Sequence, residues 1–194
     1  MKAVFLILIV LTFGGYRPLH SLPGNPALDP AEDSAEYIRQ TLAFLQQVEA
    51  KYFGDSLSFL EDKPATPDFL DCFNEIFADT VQFCARERDL IRAKAKNAWI
   101  RQWTNTILPD IRIIPGDSVT SIFKDLSRNW IYFHQHFGNG ILGFSTPVFY
   151  NHYTFCLFYF QYSCDGLCGE GYYKLYKKEG IQWVKLKTYC RWIS

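Results

Sequence analysis

The sequence lacks the short motifs that would assign an enzymatic activity without further evidence. It contains no glycine-rich phosphate-binding loop, no nucleophile elbow and no paired-histidine metal motif. It also lacks net charge, because 20 acidic residues balance 20 basic ones. A nucleic-acid-binding surface needs a basic excess interleaved with aromatic residues, so nucleic acid is not an expected partner. The sequence therefore predicts no catalytic residue, metal or cofactor, and it leaves the biochemical activity undetermined.

An apolar run long enough to span a membrane is also missing, since a transmembrane helix needs about 20 such residues. The chain begins with Lys2 and an almost wholly apolar segment of about half that length, followed by Gly14 and Gly15. This order is typical of a cleavable signal peptide, which we expect at residues 1–14. No cysteine near that point is available for lipid attachment. We expect a secreted or periplasmic protein without a transmembrane segment after cleavage.

The rest of the chain divides into a short leader and one domain. Prolines recur through residues 15–31, at Pro18, Pro23, Pro26 and Pro30, which is typical of an extended leader. Residues 32–194 are enough for a single domain with a substantial core. That core is expected to be rich in aromatic side chains, since the chain contains 17 Phe, 12 Tyr and 5 Trp residues.

The spacing of apolar residues changes from a helical to a strand period along the domain. A first helix is expected from about Asp33, and helical stripes recur as far as Phe137. Beyond Gly140 the period is two, which predicts strands at 141–150, 153–164, 172–178 and 181–194. Residues 165–171 are interpreted as a glycine-rich connection. The prediction is an α+β fold with N-terminal helices packed on one face of a C-terminal four-stranded antiparallel β-meander.

Six cysteines remain after signal cleavage, and an even number in an exported chain predicts disulfides. They are Cys72, Cys84, Cys156, Cys164, Cys168 and Cys190. Closeness in sequence suggests the pairs Cys72–Cys84 and Cys164–Cys168, and elimination then leaves Cys156–Cys190. The hairpin turn expected at 179–180 argues against that last pair, because it places Cys190 opposite about residue 169. An open alternative is that Cys190 competes for Cys164 or Cys168 and leaves Cys156 buried and free.

The short cysteine loop allows three interpretations. We predict a structural Cys164–Cys168 bridge that holds the turn and so sets the register of the adjoining strands. A redox-active pair is one alternative, but such pairs usually enclose two residues at a helix N-terminus, and this loop has three before a strand. A metal site with His134, His136 or His152 as third ligand is the other, at a spacing that suits zinc poorly.

A binding surface is predicted on the sheet, where aromatic and cationic side chains alternate. Its residues are Tyr172, Trp183, Lys185, Tyr189 and Arg191. This mixture suits a protein, peptide or glycan partner, although aromatic filling beneath the helices explains the same pattern. The preferred function is therefore a non-enzymatic exported binding or accessory protein. A small pocket-type α+β enzyme is the alternative; a deep pocket with convergent polar groups would favour the enzyme, and a flat sheet would favour binding.

The C-terminal third also carries a set of local motifs. They are Ser145-Thr-Pro-Val-Phe149, Tyr162-Ser-Cys-Asp-Gly-Leu-Cys-Gly-Glu-Gly171, Leu175-Tyr-Lys-Lys178, Trp183 and Trp192-Ile-Ser194. Together they resemble a family of uncharacterised secreted bacterial proteins of Bacteroidetes type. The resemblance implies export and a β-meander, and it transfers no activity. Members of that family often carry lipoprotein signals, which this chain lacks.

Overall fold

The structure is a computed structural model that describes residues 33–66, 70–125 and 129–194, which belong to one compact unit. The predicted signal peptide and leader lie outside the described residues. The helices are α1 (Ser34–Val48), α2 (Leu70–Ala78), α3 (Ala85–Lys96), α4 (Gly116–Lys124) and α5 (Asn129–His136). The strands are β1 (Ser58–Glu61), β2 (Ile113–Ile114), β3 (Gly140–Phe144), β4 (Val148–Tyr150), β5 (Phe155–Asp165), β6 (Cys168–Glu179) and β7 (Gln182–Ile193). Among these described helices, none is long and apolar enough to cross a membrane.

The strands form one mixed sheet in the order β2-β1-β3-β5-β6-β7, and β4 also pairs with β5. Strand β1 runs parallel to β2 and β3, whereas the remaining pairs are antiparallel. The fold thus combines α and β structure as expected, but the prediction of four antiparallel strands is wrong. The strands β1 and β2 are four and two residues long. Their partners are distant in sequence, so local periodicity does not reveal them.

Helices cover both faces of the sheet, which corrects the prediction that they lie on one. In β5, Phe158 and Phe160 point to the face covered by α1, here called the α1 face, and pack with Phe44 and Leu45. Leu157 and Tyr159 point to the opposite face, here called the α3 face, which α2 and α3 cover. Both sets are buried. A strand that is apolar on both sides needs cover on both faces, so helices on one side alone would leave half of it in water.

The region expected as a glycine-rich connection is instead a tight hairpin. Strand β5 ends at Asp165 and β6 begins at Cys168, so that only Gly166 and Leu167 form the turn. Gly171 lies inside β6, where a Cβ atom would collide with the indole of Trp192. Gly171 therefore allows close packing within the sheet, and it is not part of a loop.

The predicted Cys164–Cys168 pair is present at disulfide-bonding distance, with 5.1 Å between the two Cα atoms. It closes the hairpin between β5 and β6, which are in register from Phe155↔Lys177 to Ser163↔Gly169.

The other cysteines do not pair as expected. Cys72 of α2 pairs with Cys190 of β7, with 5.5 Å between the Cα atoms, so neither the expected Cys72–Cys84 pair nor the Cys156–Cys190 pair left by elimination forms. Cys84 is free and exposed, and Cys156 is free and buried. The reason is an irregularity in β7, where Cys190 adopts a left-handed φ of 51° and leaves the regular ladder to meet α2.

Candidate functional site

The surface predicted on β7 does not form one face, because a bulge reverses the alternation of side chains. Lys185 lies opposite Tyr176, but Lys187 lies opposite Leu175, so Leu186 is an extra residue in the ladder. Side chains before the bulge keep the expected face, and Lys187 and Tyr189 after it are moved to the other, until the second irregularity at Cys190 shifts the register again. Strict alternation read from the sequence cannot reveal this change.

The three aromatic residues of that predicted surface are engaged inside the protein. Tyr172 is 8% exposed and stacks on Phe160 with ring centroids 5.1 Å apart. Trp183 packs edge-on against Phe44 on the α1 face, at 5.2 Å. Tyr189 belongs to the cluster on the α3 face and is 1% exposed.

The two cations of the predicted surface are exposed. Arg191 lies 4.0 Å from Glu170, and Lys185 shares the α1 face with Trp183. The structure therefore brings Tyr172, Trp183 and Lys185 to one side of the sheet and places Tyr189 on the other.

A cavity of about 410 Å³ lies between α2, α3 and the α3 face of the sheet. This volume falls within the range of roughly 300–1,000 Å³ that is usual for small-molecule sites. Its lining comes from both helices, from the segment before α2 and from β4, β5, β6 and the β3–β4 connection. The lining residues are Ala65, Thr66, Phe73, Phe77, Ile91, Arg92, Ala95, Lys96, Ser145, Thr146, Val148, Leu157 and Tyr173.

Aromatic and aliphatic side chains build most of the cavity wall. Phe73 and Phe77 lie one turn apart on α2, so their rings stack with centroids 5.2 Å apart and an interplanar angle of 16°. Phe73 also approaches Tyr173 of β6, at 6.1 Å. Ile91 and Leu157 are buried completely or almost completely. These contacts present a firm apolar surface to anything inside the cavity.

The charged groups of the lining are cations contributed by α3. The Arg92 guanidinium lies 4.1 Å from the ring centre of Phe77 and donates a 3.0 Å hydrogen bond to Asp89. Lys96 is the last residue of α3 and is exposed. The described lining contains no histidine, cysteine or carboxylate. The cavity is therefore apolar inside, with positive charge in its wall.

The polar groups of the lining do not form a nucleophile and base. The Ser145 hydroxyl accepts a 2.9 Å hydrogen bond from the Tyr159 amide and donates a 3.3 Å bond to the Thr146 carbonyl. Both partners are backbone groups, so this serine joins the β3–β4 connection to β5. Burial raises the pKa of Tyr173 well above its usual value, and Tyr159 adds to this. Tyr173 therefore remains a neutral phenol.

Helix α2, which forms one cavity wall, is tied to β7 by polar contacts as well as by the disulfide. The carboxylate of Glu75 accepts a 3.0 Å hydrogen bond from the Cys190 amide. Asp79, just after the helix, accepts hydrogen bonds from Lys187 and, at 2.9 Å, from the Tyr189 hydroxyl. The Lys187 bond, and then the Tyr189 bond, lower the pKa of Asp79 to about 2. These links fix one wall of the cavity to the sheet.

A buried carboxyl on the α1 face was missed by the sequence interpretation. Glu49, at the C-cap of α1, is 3% exposed, and its Oε1 has no hydrogen-bond partner among the described residues. Burial raises its pKa to about 7, although Lys174 and Lys51 oppose the shift. The sequence signal was its spacing, since Glu49 follows the buried Leu45 by one helical turn.

The cysteine loop shows features of a structural turn. Its tip residue Leu167 is 88% exposed, and Cys168 begins a strand, so no helix N-terminus is present to lower a thiol pKa.

His134 and His136 each place Nδ1 within hydrogen-bond distance of a backbone carbonyl of their own segment. Within residues 33–66, 70–125 and 129–194, no group of three or more His, Cys, Asp or Glu residues could hold a metal ion.

Comparisons with protein families, curated proteins and solved structures give no match. The functional argument therefore depends on the geometry of the site. Among the features described above, the cavity between α2, α3 and the sheet combines suitable size, an apolar wall and localised charge. We take this cavity as the candidate functional site.

Proposed function

We propose that this protein is a non-enzymatic binding protein that holds a small apolar molecule in the cavity between α2, α3 and the sheet. The observation that carries the proposal is an apolar cavity of about 410 Å³. A pocket-type enzyme needs convergent acid, base or nucleophilic groups, and the lining described above supplies none. Burying an apolar ligand against Phe73, Ile91 and Leu157 provides the driving force, at about 25 cal/mol per Å² of apolar surface removed from water.

A neutral fluorescent probe, N-phenyl-1-naphthylamine, tests this proposal. The wild-type protein should bind the probe with increased emission, because the apolar side chains of the cavity shield the bound probe from water. Replacing Ala95, which lines the cavity, by Trp should fill the space and weaken binding by about tenfold or more, equivalent to about 1.4 kcal/mol.

The matched control is Ala93→Trp. Ala93 is an exposed residue of the same helix and does not line the cavity, so this variant has the same cost in helix propensity. It should bind the probe as the wild type does. Absence of probe binding by the wild type, or equal binding by Ala95→Trp, contradicts the proposed function.

In this proposal the protein acts outside the cytoplasm. The signal-like first 14 residues support export, and so do two cysteine pairs at disulfide-bonding distance, since such bonds persist in oxidising compartments. The family that the C-terminal motifs resemble has the same expected location. N-terminal sequencing of protein recovered outside the cytoplasm should begin at Gly15. A sequence that begins at Met1, or protein retained in the cytoplasm, contradicts export.

A further inference from the structure

The charges of the cavity wall point to a class of ligand, and the inference rests on the proposed function. Arg92 and Lys96 carry the charge of the described lining, and no carboxylate accompanies them there. The two cations differ in their surroundings. Arg92 is paired with Asp89 at 3.0 Å, and its guanidinium stacks on Phe77, so this cation already has partners within the protein.

Lys96 is the cation that remains available. In the part of the chain that the structure describes, its ammonium group has no hydrogen bond or ion pair. The neighbouring Lys94 differs, since it donates a 2.9 Å hydrogen bond to the Phe149 carbonyl. An unpaired ammonium group beside an apolar wall favours an anion and disfavours a cation of the same shape.

We infer that the ligand is an amphipathic monoanion, an apolar body that carries one carboxylate. The body occupies the space between Phe73, Ile91 and Tyr173, where aromatic rings favour a flat or aromatic molecule. The carboxylate meets Lys96 at the exposed end of α3. Water remains on the outer side of that ion pair, so the anion is not fully desolvated, and the cost of burying charge is small.

Three probes that differ in one substituent test the inference by isothermal titration. They are naphthalene-2-carboxylate, 2-naphthalenemethanol and 2-naphthylmethylammonium, which are anionic, neutral and cationic. The wild type should bind the carboxylate about three- to tenfold more tightly than the alcohol, the range expected for one partly exposed charge contact, and the ammonium compound most weakly. High salt should reduce the preference for the carboxylate, because the contact is screened.

The variant Lys96→Met keeps an apolar stem and removes the charge, so it should lose the preference for the carboxylate while still binding the alcohol. The control Lys185→Met removes an exposed charge from the opposite face of the sheet and should retain that preference. If the alcohol binds as tightly as the carboxylate to the wild type, the inference fails and the proposed binding function stands. Persistence of the preference in Lys96→Met also overturns it. If none of the three probes binds, both the inference and the proposed function fail.

Discussion

At the scale of single residues, Glu49 combines an ionisable side chain with a buried environment. Its carboxyl group is buried beside the aromatic core of the α1 face, and within the described part of the chain its Oε1 has no hydrogen-bond partner. Ionisation there is costly, and the surrounding lysines offset only part of the cost. The group is therefore expected to change its protonation near neutral pH.

This burial makes stability depend on pH. The pKa of Glu49 is about 7 in the folded protein against an ordinary value of 4.5, so the folded state holds a proton that the unfolded state releases between these values. The contribution of Glu49 to the free energy of unfolding is greatest below pH 4.5 and is lost as the pH rises through 7, by about 3 kcal/mol. Glu49→Gln cannot titrate, so it should be more stable than the wild type at pH 8, with a smaller advantage at pH 5.

Urea denaturation of both proteins at pH 5 and pH 8 measures the difference. The control is Glu170→Gln, because the side chain of Glu170 is partly exposed, at 36%, and its loss should leave most of the pH dependence in place. An unchanged pH dependence in Glu49→Gln would show that this carboxyl does not titrate as described.

Single-residue interpretation succeeded where the cause was local. Asp33 was expected to begin the first helix, and its carboxylate accepts a 3.0 Å hydrogen bond from the Ala35 amide at the N-cap of α1. This kind of interpretation failed for residues that are buried by segments distant in sequence. Tyr189 is buried in a cluster with Phe83 and Tyr150, which lie far away in sequence, and no local pattern gives these neighbours.

At the scale of elements, the attachment of α2 to β7 determines how firmly the cavity is built. The Cys72–Cys190 pair joins residues 118 positions apart, and Asp79 adds bonds to Lys187 and Tyr189 at the end of the helix. The Cys164–Cys168 pair encloses a separation of only four residues. The two bridges therefore restrain the unfolded chain to very different extents.

Removing the long-range bridge should destabilise the protein more than removing the short one. The double variant Cys72→Ser/Cys190→Ser is expected to lose about 2–5 kcal/mol of unfolding free energy, since closing a long loop carries the larger entropy. Cys164→Ser/Cys168→Ser is the matched control and should lose less. Guanidinium denaturation of the oxidised proteins gives both values. An equal loss, or the reverse order, would refute this view of how α2 is held.

Element prediction worked for the hairpin around Gly180 and failed where pairing is remote or irregular. A turn at residues 179–180 was expected, and β6 and β7 are joined there. The sequence pattern predicts a third helix from Asp79 or Thr80 to about Trp103, but α3 covers only Ala85–Lys96. The cause is that Asp79 caps a turn before the helix, accepting hydrogen bonds from the amides of Val81 and Gln82.

At the scale of the whole molecule, the two faces of the sheet are packed differently. The α1 face is filled by a continuous aromatic cluster that includes Phe44, Phe149 and Phe158. The α3 face carries two separate clusters, one with α2 and α3 and one with α4 and α5. The cavity adjoins the first of these. The composition predicted an aromatic core, but the cavity could not be predicted, because it depends on how α2 and α3 are placed over the sheet.

The central claim, that this cavity holds a small amphipathic ligand, is tested most directly by locating a ligand in it. Crystals soaked with 6-bromo-2-naphthoate give a bromine position through anomalous scattering. The account predicts a bromine peak within the cavity bounded by Phe73, Ile91 and Tyr173, with the carboxylate towards Lys96. A cavity without ligand density, while the same compound occupies the α1 face beside Trp183, would contradict it.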